Sequence, residues 1–187
     1  MMRRVDSGHR ALAHARLALM EFAGGVDGAI NRVPDKLRDD PALVYERVRW
    51  RRRKNKTVEA AEMLLPPSIA ITEAGPRPKK WWLERHILAR RLLAMDRASD
   101  AYILVRDHAQ TDRAAVAEAE WLAGWIALTK LHRPEIAAMH FDEMYKAVRY
   151  PVSRAKGAYW QARALLEQGK QDLSREWYET AARHPRT

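Results

Sequence analysis

The densest group of side chains that could bind a ligand is a run of cations between residues 47 and 56. Seven of these ten residues are Arg or Lys, and Trp50 lies among them. A second basic group surrounds the neighbouring indoles Trp81 and Trp82. Basic groups interleaved with aromatic rings bind nucleic acid, and the same mixture suits a sugar polymer that carries carboxylates. For any single residue the alternative is a structural arginine stacked on tryptophan between helices. The residues predicted to contact a ligand are Arg47, Arg49, Arg51, Arg52, Lys54, Trp81 and Arg85.

The other side chains with possible chemistry form no catalytic or metal-binding signature. His140 and Glu143 share a helix face, but a metal site needs three or four ligands. The sequence has no Gly-rich phosphate loop, no G-x-S-x-G elbow and no cysteine nucleophile. Most carboxylates are spaced to pair with nearby Lys or Arg. We therefore expect no metal, no cofactor and no catalytic residue in this chain.

The overall charge favours an acidic partner. With 34 Lys and Arg against 24 Asp and Glu, the formal net charge is +10. Nucleic acid, an anionic membrane surface and an acidic polymer are the partner classes that such a charge attracts. The absence of cysteine excludes disulfides and is compatible with either redox compartment. Residues 1–4 begin like a signal peptide, but no apolar run follows, and no window approaches the ~20 apolar residues of a membrane span.

Helices must position these side chains, because apolar residues recur three and four apart along nearly the whole chain. The pattern predicts about ten helices joined as antiparallel pairs, with only residues 69–72 resembling a strand. The first helix is predicted over 11–22. The signals for helix ends are predicted N-caps at Asp40, Thr57 and Asp112, first residues at Pro134 and Pro151, and a C-terminal cap at Gly169.

A two-helix unit occurs twice between residues 112 and 185, at a spacing of about 35 residues, which is typical of stacked helix pairs. Trp125 matches Trp160, and Phe141 matches Trp177 after a slip of one residue. We expect an all-α fold, a tetratricopeptide-like superhelical array of antiparallel helix pairs forming one domain over residues 1–187. The two matched indoles Trp125 and Trp160 are predicted to be buried at equivalent interfaces. On the helix after Asp112, Glu120 is predicted to lie away from an apolar packing stripe formed by Ala117, Trp121, Trp125 and Leu128.

Several strings resemble the superhelical region of soluble lytic murein transglycosylases. The downstream string runs from Ala117 to Leu128 as A-x-A-E-W-L-A-G-W-I-A-L, and a second follows from Pro151 to Ala164 as P-V-S-R-A-x-x-A-Y-W-x-A-R-A. Upstream, the motifs R-W-R-R at 49–52 and W-W-x-E-R at 81–85 occur in the order found in that region. The resemblance covers nearly the whole chain, with small departures at Thr129 and at Lys156 and Gly157.

The resemblance implies a periplasmic protein in which an array of helices precedes a lysozyme-like catalytic domain. That domain cleaves peptidoglycan with a single Glu as acid and then base, and it is expected to lie beyond Thr187. The chain itself is therefore predicted to be inactive and to hold or thread peptidoglycan glycan strands for the catalytic domain of the same parent protein. The alternative is a tetratricopeptide-like adaptor that binds a protein partner. Nucleic acid is the least favoured partner, since charge alone suggests it.

Overall fold

The computed structural model describes residues 6–65 and 78–183, and all regular structure in these two segments is helical. This confirms the predicted all-α fold, while its superhelical arrangement stays a prediction. Residues 69–72, the strand-like segment, lie outside the described residues. The helices are α1 (Ser7–Met20), α2 (Val26–Asn31), α3 (Asp35–Arg38), α4 (Pro41–Arg53), α5 (Thr57–Glu62), α6 (Pro78–Leu93), α7 (Ala98–Arg106), α8 (Arg113–Thr129), α9 (Pro134–Ala147), α10 (Pro151–Glu167) and α11 (Gln171–Arg183).

The chain divides within α6 into two compact units, Met1–Leu88 and Ala89–Thr187. We call them the N-terminal and C-terminal units and describe each by itself. The prediction of a single domain over residues 1–187 stays a prediction.

The N-terminal unit is built around α1, which packs against α2, α3 and α4. Its core contains three side chains that are almost completely buried, namely Leu19 of α1, Leu43 of α4, and Val33 between α2 and α3. Asp40 caps α4 by accepting hydrogen bonds from the backbone N–H groups of Ala42 and Leu43, as predicted.

The expected cap at Thr57 is wrong. Thr57 is already the first residue of α5, and the N-cap position belongs to Lys56, whose side chain makes no capping hydrogen bond. The Thr57 side chain is buried instead. Thr57 therefore packs against its neighbours and does not cap the helix.

The C-terminal unit is a sequential stack in which each helix from α7 to α11 packs against the next. Asp112 caps α8, while Pro134 and Pro151 are the first residues of α9 and α10, all as predicted. Gly169 has a φ of +75°, and the N–H of Lys170 donates to the carbonyl of Leu165 across it. Glycine adopts this left-handed conformation without steric cost, which explains the sharp end of α10.

The predicted repeat is visible in the burial pattern of α8 and α10. The buried positions 122, 123, 126 and 127 of α8 are matched 35 residues later by buried positions 157, 158, 161 and 162 of α10. Gly124 lets α9 approach α8 closely, since a Cβ placed there would lie 2.7 Å from the ring of the fully buried Phe141. Small residues at helix contacts therefore fix the spacing of the stack.

The matched indoles differ from the prediction in their burial. Trp125 and Trp160 are both half-buried rather than buried. Trp160 stacks on Phe141 with ring centroids 5.6 Å apart, whereas Trp125 lies beside Trp121 at 6.4 Å. Both rings also lie beside Trp121, so the sequence match reproduces the helix contacts, and the stacking on Phe141 is what distinguishes Trp160.

No helix in the described segments is long and apolar enough to cross a bilayer.

Candidate functional site: a cationic pocket in the C-terminal unit

Arg52 and Glu84 form a buried ion pair that joins α4 to α6 inside the N-terminal unit. Arg52 donates through both Nε and Nη2 to the two carboxylate oxygens of Glu84, and the Nη2 to Oε1 distance is 2.9 Å. The Glu84 side chain is only 1% exposed. These hydrogen bonds raise the pKa of Arg52 despite its partial burial. Arg52 is therefore a structural residue, and its guanidinium is engaged by a carboxylate of its own unit.

Two other residues predicted to contact a ligand are also inside the fold. Trp81 and Arg85 are 5% and 4% exposed. The Trp81 ring meets Tyr45 of α4 edge to face, with ring centroids 5.2 Å apart. Such a T-shaped contact is favourable for aromatic pairs. The W-W-x-E-R motif therefore fastens α6 to α4 and does not present an exposed binding surface.

The remaining predicted ligand residues, all from 47 to 54, lie nearer the surface and have varied surroundings. Burial lowers the pKa of the half-buried Arg47. Arg49 lies 3.6 Å from the carboxylate of Glu46, and Arg51 contacts the sulfur of Met63. Lys54 is exposed. A ligand-binding role for these four cations stays a prediction, but they do not share one surface with Trp81 and Arg85.

The C-terminal unit contains a cavity of about 750 Å³ where the N-terminal half of α8 faces the end of α9 and the start of α10. This volume falls within the usual range for small-molecule sites. We call it the α8–α10 pocket. Its lining consists of Asp112, Arg113, Ala114, Ala117, Glu118, Trp121, Met144, Ala147, Val148, Arg149, Tyr150, Ser153 and Lys156.

Three cations and two acids line this pocket. The cations are Arg113, Arg149 and Lys156. In the described part of the chain, none of the three lies within ion-pair distance of a carboxylate. Of the acids, Asp112 accepts the capping hydrogen bond from Ala115 N–H at 3.2 Å. The pocket therefore has an excess of positive charge that the described residues leave unpaired.

Lys156 is held over an aromatic face. Its Nζ lies 3.9 Å from the centroid of the Trp121 ring, which is a close cation–π contact. Although much of the side chain is exposed, partial burial of the ammonium lowers the pKa of Lys156, and the nearby charge of Glu118 opposes this shift. A bound anion would stabilise the charged form of this ammonium and so offset its loss of hydration.

Trp121 belongs to a larger aromatic cluster on the same side of α8. Its ring lies 6.3 Å from Trp160 in an edge-on arrangement and 6.4 Å from Trp125. The buried indole nitrogen of Trp121 has no hydrogen-bond acceptor among the described residues. Of these three half-buried rings, Trp121 is the one that lines the pocket. Indoles in this state combine a large apolar face with a polar edge, a combination typical of binding surfaces.

A separate polar cluster connects α7, α8 and α9. Glu120 accepts hydrogen bonds from His108 Nε2 at 3.0 Å and from His140 Nδ1 at 2.6 Å. The hydroxyl of Tyr102 lies 2.9 Å from His140 Nε2, and Gln110 N–H donates to His108 Nδ1. When Glu120 is ionised, all of these contacts are satisfied by neutral histidines, with the proton on Nε2 of His108 and on Nδ1 of His140.

This cluster corrects the prediction that Glu120 lies away from the packed face of α8. Burial raises the pKa of its carboxyl, but the hydrogen bonds from His108 and His140 outweigh burial and hold the pKa at about 2. Burial also raises the pKa of Tyr102. A carboxylate that stays ionised near neutral pH cannot act as a general acid there. No group of three or more His, Asp or Glu side chains in residues 6–65 and 78–183 is arranged so that it could hold a metal ion.

Sequence reasoning missed the pocket because its residues come from three helices. Lys156 appeared only as a departure from a family pattern, and Trp121 as part of a packing stripe. The available signal was the position of Lys156 four residues before Trp160 on a helix already matched to α8. An i, i+4 spacing puts both side chains on one helix face.

Comparisons with family models, with curated proteins and with solved structures found no match for this chain.

Proposed function

We propose that this chain is the non-catalytic superhelical region of a soluble lytic transglycosylase, and that it holds or threads peptidoglycan for a catalytic domain outside the chain. The observation that best supports this is the α8–α10 pocket, where an indole, apolar walls and unpaired cations line one cavity. A periplasmic location is part of the proposal and rests on the resemblance in sequence.

The chemistry of peptidoglycan suits such a pocket. The C–H faces of sugar rings pack on indoles, and the stem peptides carry free carboxylates that cations attract. Trp121 offers the aromatic face and Lys156 the nearest cation. Both features are needed for a glycopeptide, since a neutral sugar requires no cation and a simple anion requires no indole.

The same proposal assigns no cleavage to this chain. General acid catalysis near neutral pH needs a carboxyl whose pKa is raised. Glu120 has a pKa of about 2, and Glu84 is engaged by Arg52. The acid and base of the reaction are assigned to the catalytic domain that the resemblance implies.

Sedimentation with purified sacculi tests the proposal. The chain should pellet with sacculi at low salt and be released as ionic strength rises, because exposed charges are screened beyond about 8 Å at physiological ionic strength. No anhydro-sugar products should appear in the supernatant. Release of such products, retention that ignores salt, or a preference for RNA at equal ionic strength would overturn the proposal.

The alternative, an adaptor that binds a protein helix, is favoured by one observation on α10. Val152, Tyr159 and Leu166 are 60%, 42% and 47% exposed and lie seven residues apart. Apolar side chains at this spacing form a stripe along one face, which a partner helix could cover. Replacing Val152 and Leu166 by Ser should leave binding to sacculi unchanged if the α8–α10 pocket is the site. Loss of that binding would instead assign the contact to the stripe.

A further inference from the structure

We propose that the α8–α10 pocket binds a free carboxylate of a peptide attached to a sugar, and that Lys156 is the residue that contacts it. This inference deepens the proposed function and rests on it, because it names the part of the glycopeptide that the pocket recognises. Sugar binding without carboxylate recognition would satisfy the proposed function but not this inference.

The charges of the pocket are the first step of the argument. Lys156 lies in the first half of α10, and Arg149 lies just before that helix begins. Neither has an ion-pair partner in the described chain. The N-terminal unit shows the opposite arrangement, where Arg52 is matched by the carboxylate of Glu84. Arginine and lysine that line a cavity in excess over its carboxylates, and outside ion-pair distance of them, are suited to bind a carboxylate from a ligand.

The position of Lys156 is the second step. Its ammonium lies over the Trp121 ring, which places the charged end of this exposed side chain at the pocket wall. Burial there lowers the pKa of Lys156. A carboxylate bound beside the ammonium would stabilise the charged form and offset the loss of hydration.

The apolar walls are the third step, and they favour a carboxylate on a small apolar group over a phosphate. Ala117 and Met144 are buried, and Ala147 and Val148 are half-buried, so much of the lining is aliphatic. Three cations face two acids, which leaves a formal excess of one positive charge. A single carboxylate next to a methyl group and a sugar ring matches both the charge and the lining, as in a muramyl peptide.

Isothermal titration calorimetry with four probes tests this assignment. The probes are muramyl dipeptide as the free acid, its amidated form, a chitin oligosaccharide without carboxylates, and the dipeptide acid without its sugar. We expect the free acid to bind most tightly and the amide about tenfold more weakly, which is the change in affinity for about 1.4 kcal/mol. Lys156→Gln should weaken only the free acid, by about tenfold, and Lys156→Arg should retain most of the binding.

Controls separate this effect from general charge loss. Lys146→Gln on α9 removes an exposed lysine that pairs with Asp142 and Glu143 outside the pocket. It should leave the affinities for all four probes unchanged. Arg149→Gln provides a second pocket variant, because Arg149 is exposed and its loss should leave folding intact.

The outcomes distinguish the inference from the proposed function. Equal affinity for the acid and the amide, or wild-type binding by Lys156→Gln, overturns carboxylate recognition while pelleting with sacculi still supports the proposed function. A dipeptide acid without a sugar that binds as tightly as muramyl dipeptide overturns the glycopeptide and favours a protein C-terminus as ligand. Failure of every probe and of the sacculi overturns both.

Discussion

The two units use the same residue types in opposite ways. In the N-terminal unit, Arg52 is neutralised by Glu84 and Trp81 is buried against Tyr45. In the C-terminal unit, Lys156 lies over the half-buried Trp121, with no carboxylate of the described residues within ion-pair distance. Breaking a buried ion pair is costly, whereas an exposed cation contributes little to folding. Cations and tryptophans near each other therefore indicate a binding site only when the protein leaves them unpaired and accessible.

The largest effect should follow from breaking the pair in the N-terminal unit. Glu84→Gln keeps the size of the side chain but removes the charge that holds Arg52. Because Glu84 is 1% exposed, we expect a loss of about 3 kcal/mol in the free energy of unfolding, at the lower end for buried pairs since Arg52 is partly exposed. Urea denaturation followed by circular dichroism measures this.

The matched control is Glu143→Gln in an exposed pair with Lys146, which should change stability by less than about 0.5 kcal/mol. If the two substitutions had equal effects, the Arg52–Glu84 pair would not be the structural contact described here.

The next largest effect concerns the polar cluster of the C-terminal unit. Glu120→Gln replaces two hydrogen bonds to a charged acceptor by weaker ones, and we expect a loss of about 2 kcal/mol at pH 7. The pKa of Glu120 is lowered from 4.5 to about 2 in the folded chain. The stabilisation is therefore present above pH 4.5 and is lost as the pH falls from there toward 2.

Urea denaturation of the wild type and the variant at several pH values tests this sign. The difference in unfolding free energy between them should be constant just above pH 4.5 and shrink below it. A difference that grows as the pH falls would show that Glu120 is protonated in the folded chain.

A smaller effect is expected from Gly124→Ala at the contact of α8 with α9. The new Cβ would lie 2.7 Å from the ring of Phe141, and overpacking of this kind costs about 1 to 3 kcal/mol. Alanine regains about 1 kcal/mol of helix propensity relative to glycine. We expect a net loss of about 1 kcal/mol by urea denaturation, from the difference of these terms.

Gly28→Ala is the control, since a Cβ there would meet only the end of Arg32 at 3.9 Å. It should stabilise the chain by a few tenths of a kcal/mol up to about 1 kcal/mol. A stabilising Gly124→Ala would mean that Phe141 can move aside and that the close contact does not fix the stack.

Features that depend on residues near each other in sequence were predictable. The caps at Asp40 and Asp112 and the left-handed Gly169 follow from local backbone chemistry, and each was confirmed. The repeat also follows from spacing, because Trp125 and Trp160 occupy matching helix positions. The degree of burial of those rings did not follow, since it depends on which helix covers them.

The partners of charged side chains were the least predictable feature. Glu120 binds residues 12 and 20 positions away, and Arg52 pairs with a carboxylate 32 positions away. Nothing in a local pattern distinguishes an arginine that will find such a partner from one that will not. This is why the basic run at 47–56 suggested a binding surface, while no local pattern marked Lys156 as a ligand residue.

The smallest effect is expected where the sequence placed the ligand. The double variant Arg49→Gln and Lys54→Gln removes two cations from the N-terminal unit, one near Glu46 and one exposed. Both lie outside the α8–α10 pocket, and screened surface charges contribute only weakly to attraction. Sedimentation with sacculi at physiological salt should therefore show that the double variant loses less than about threefold in affinity. The Lys156→Gln variant, by comparison, should lose about tenfold in affinity for the free-acid probe in calorimetry. If the double variant instead released the sacculi while Lys156→Gln retained them, the arginine run would be the ligand site and the unpaired cations of the pocket would have another role.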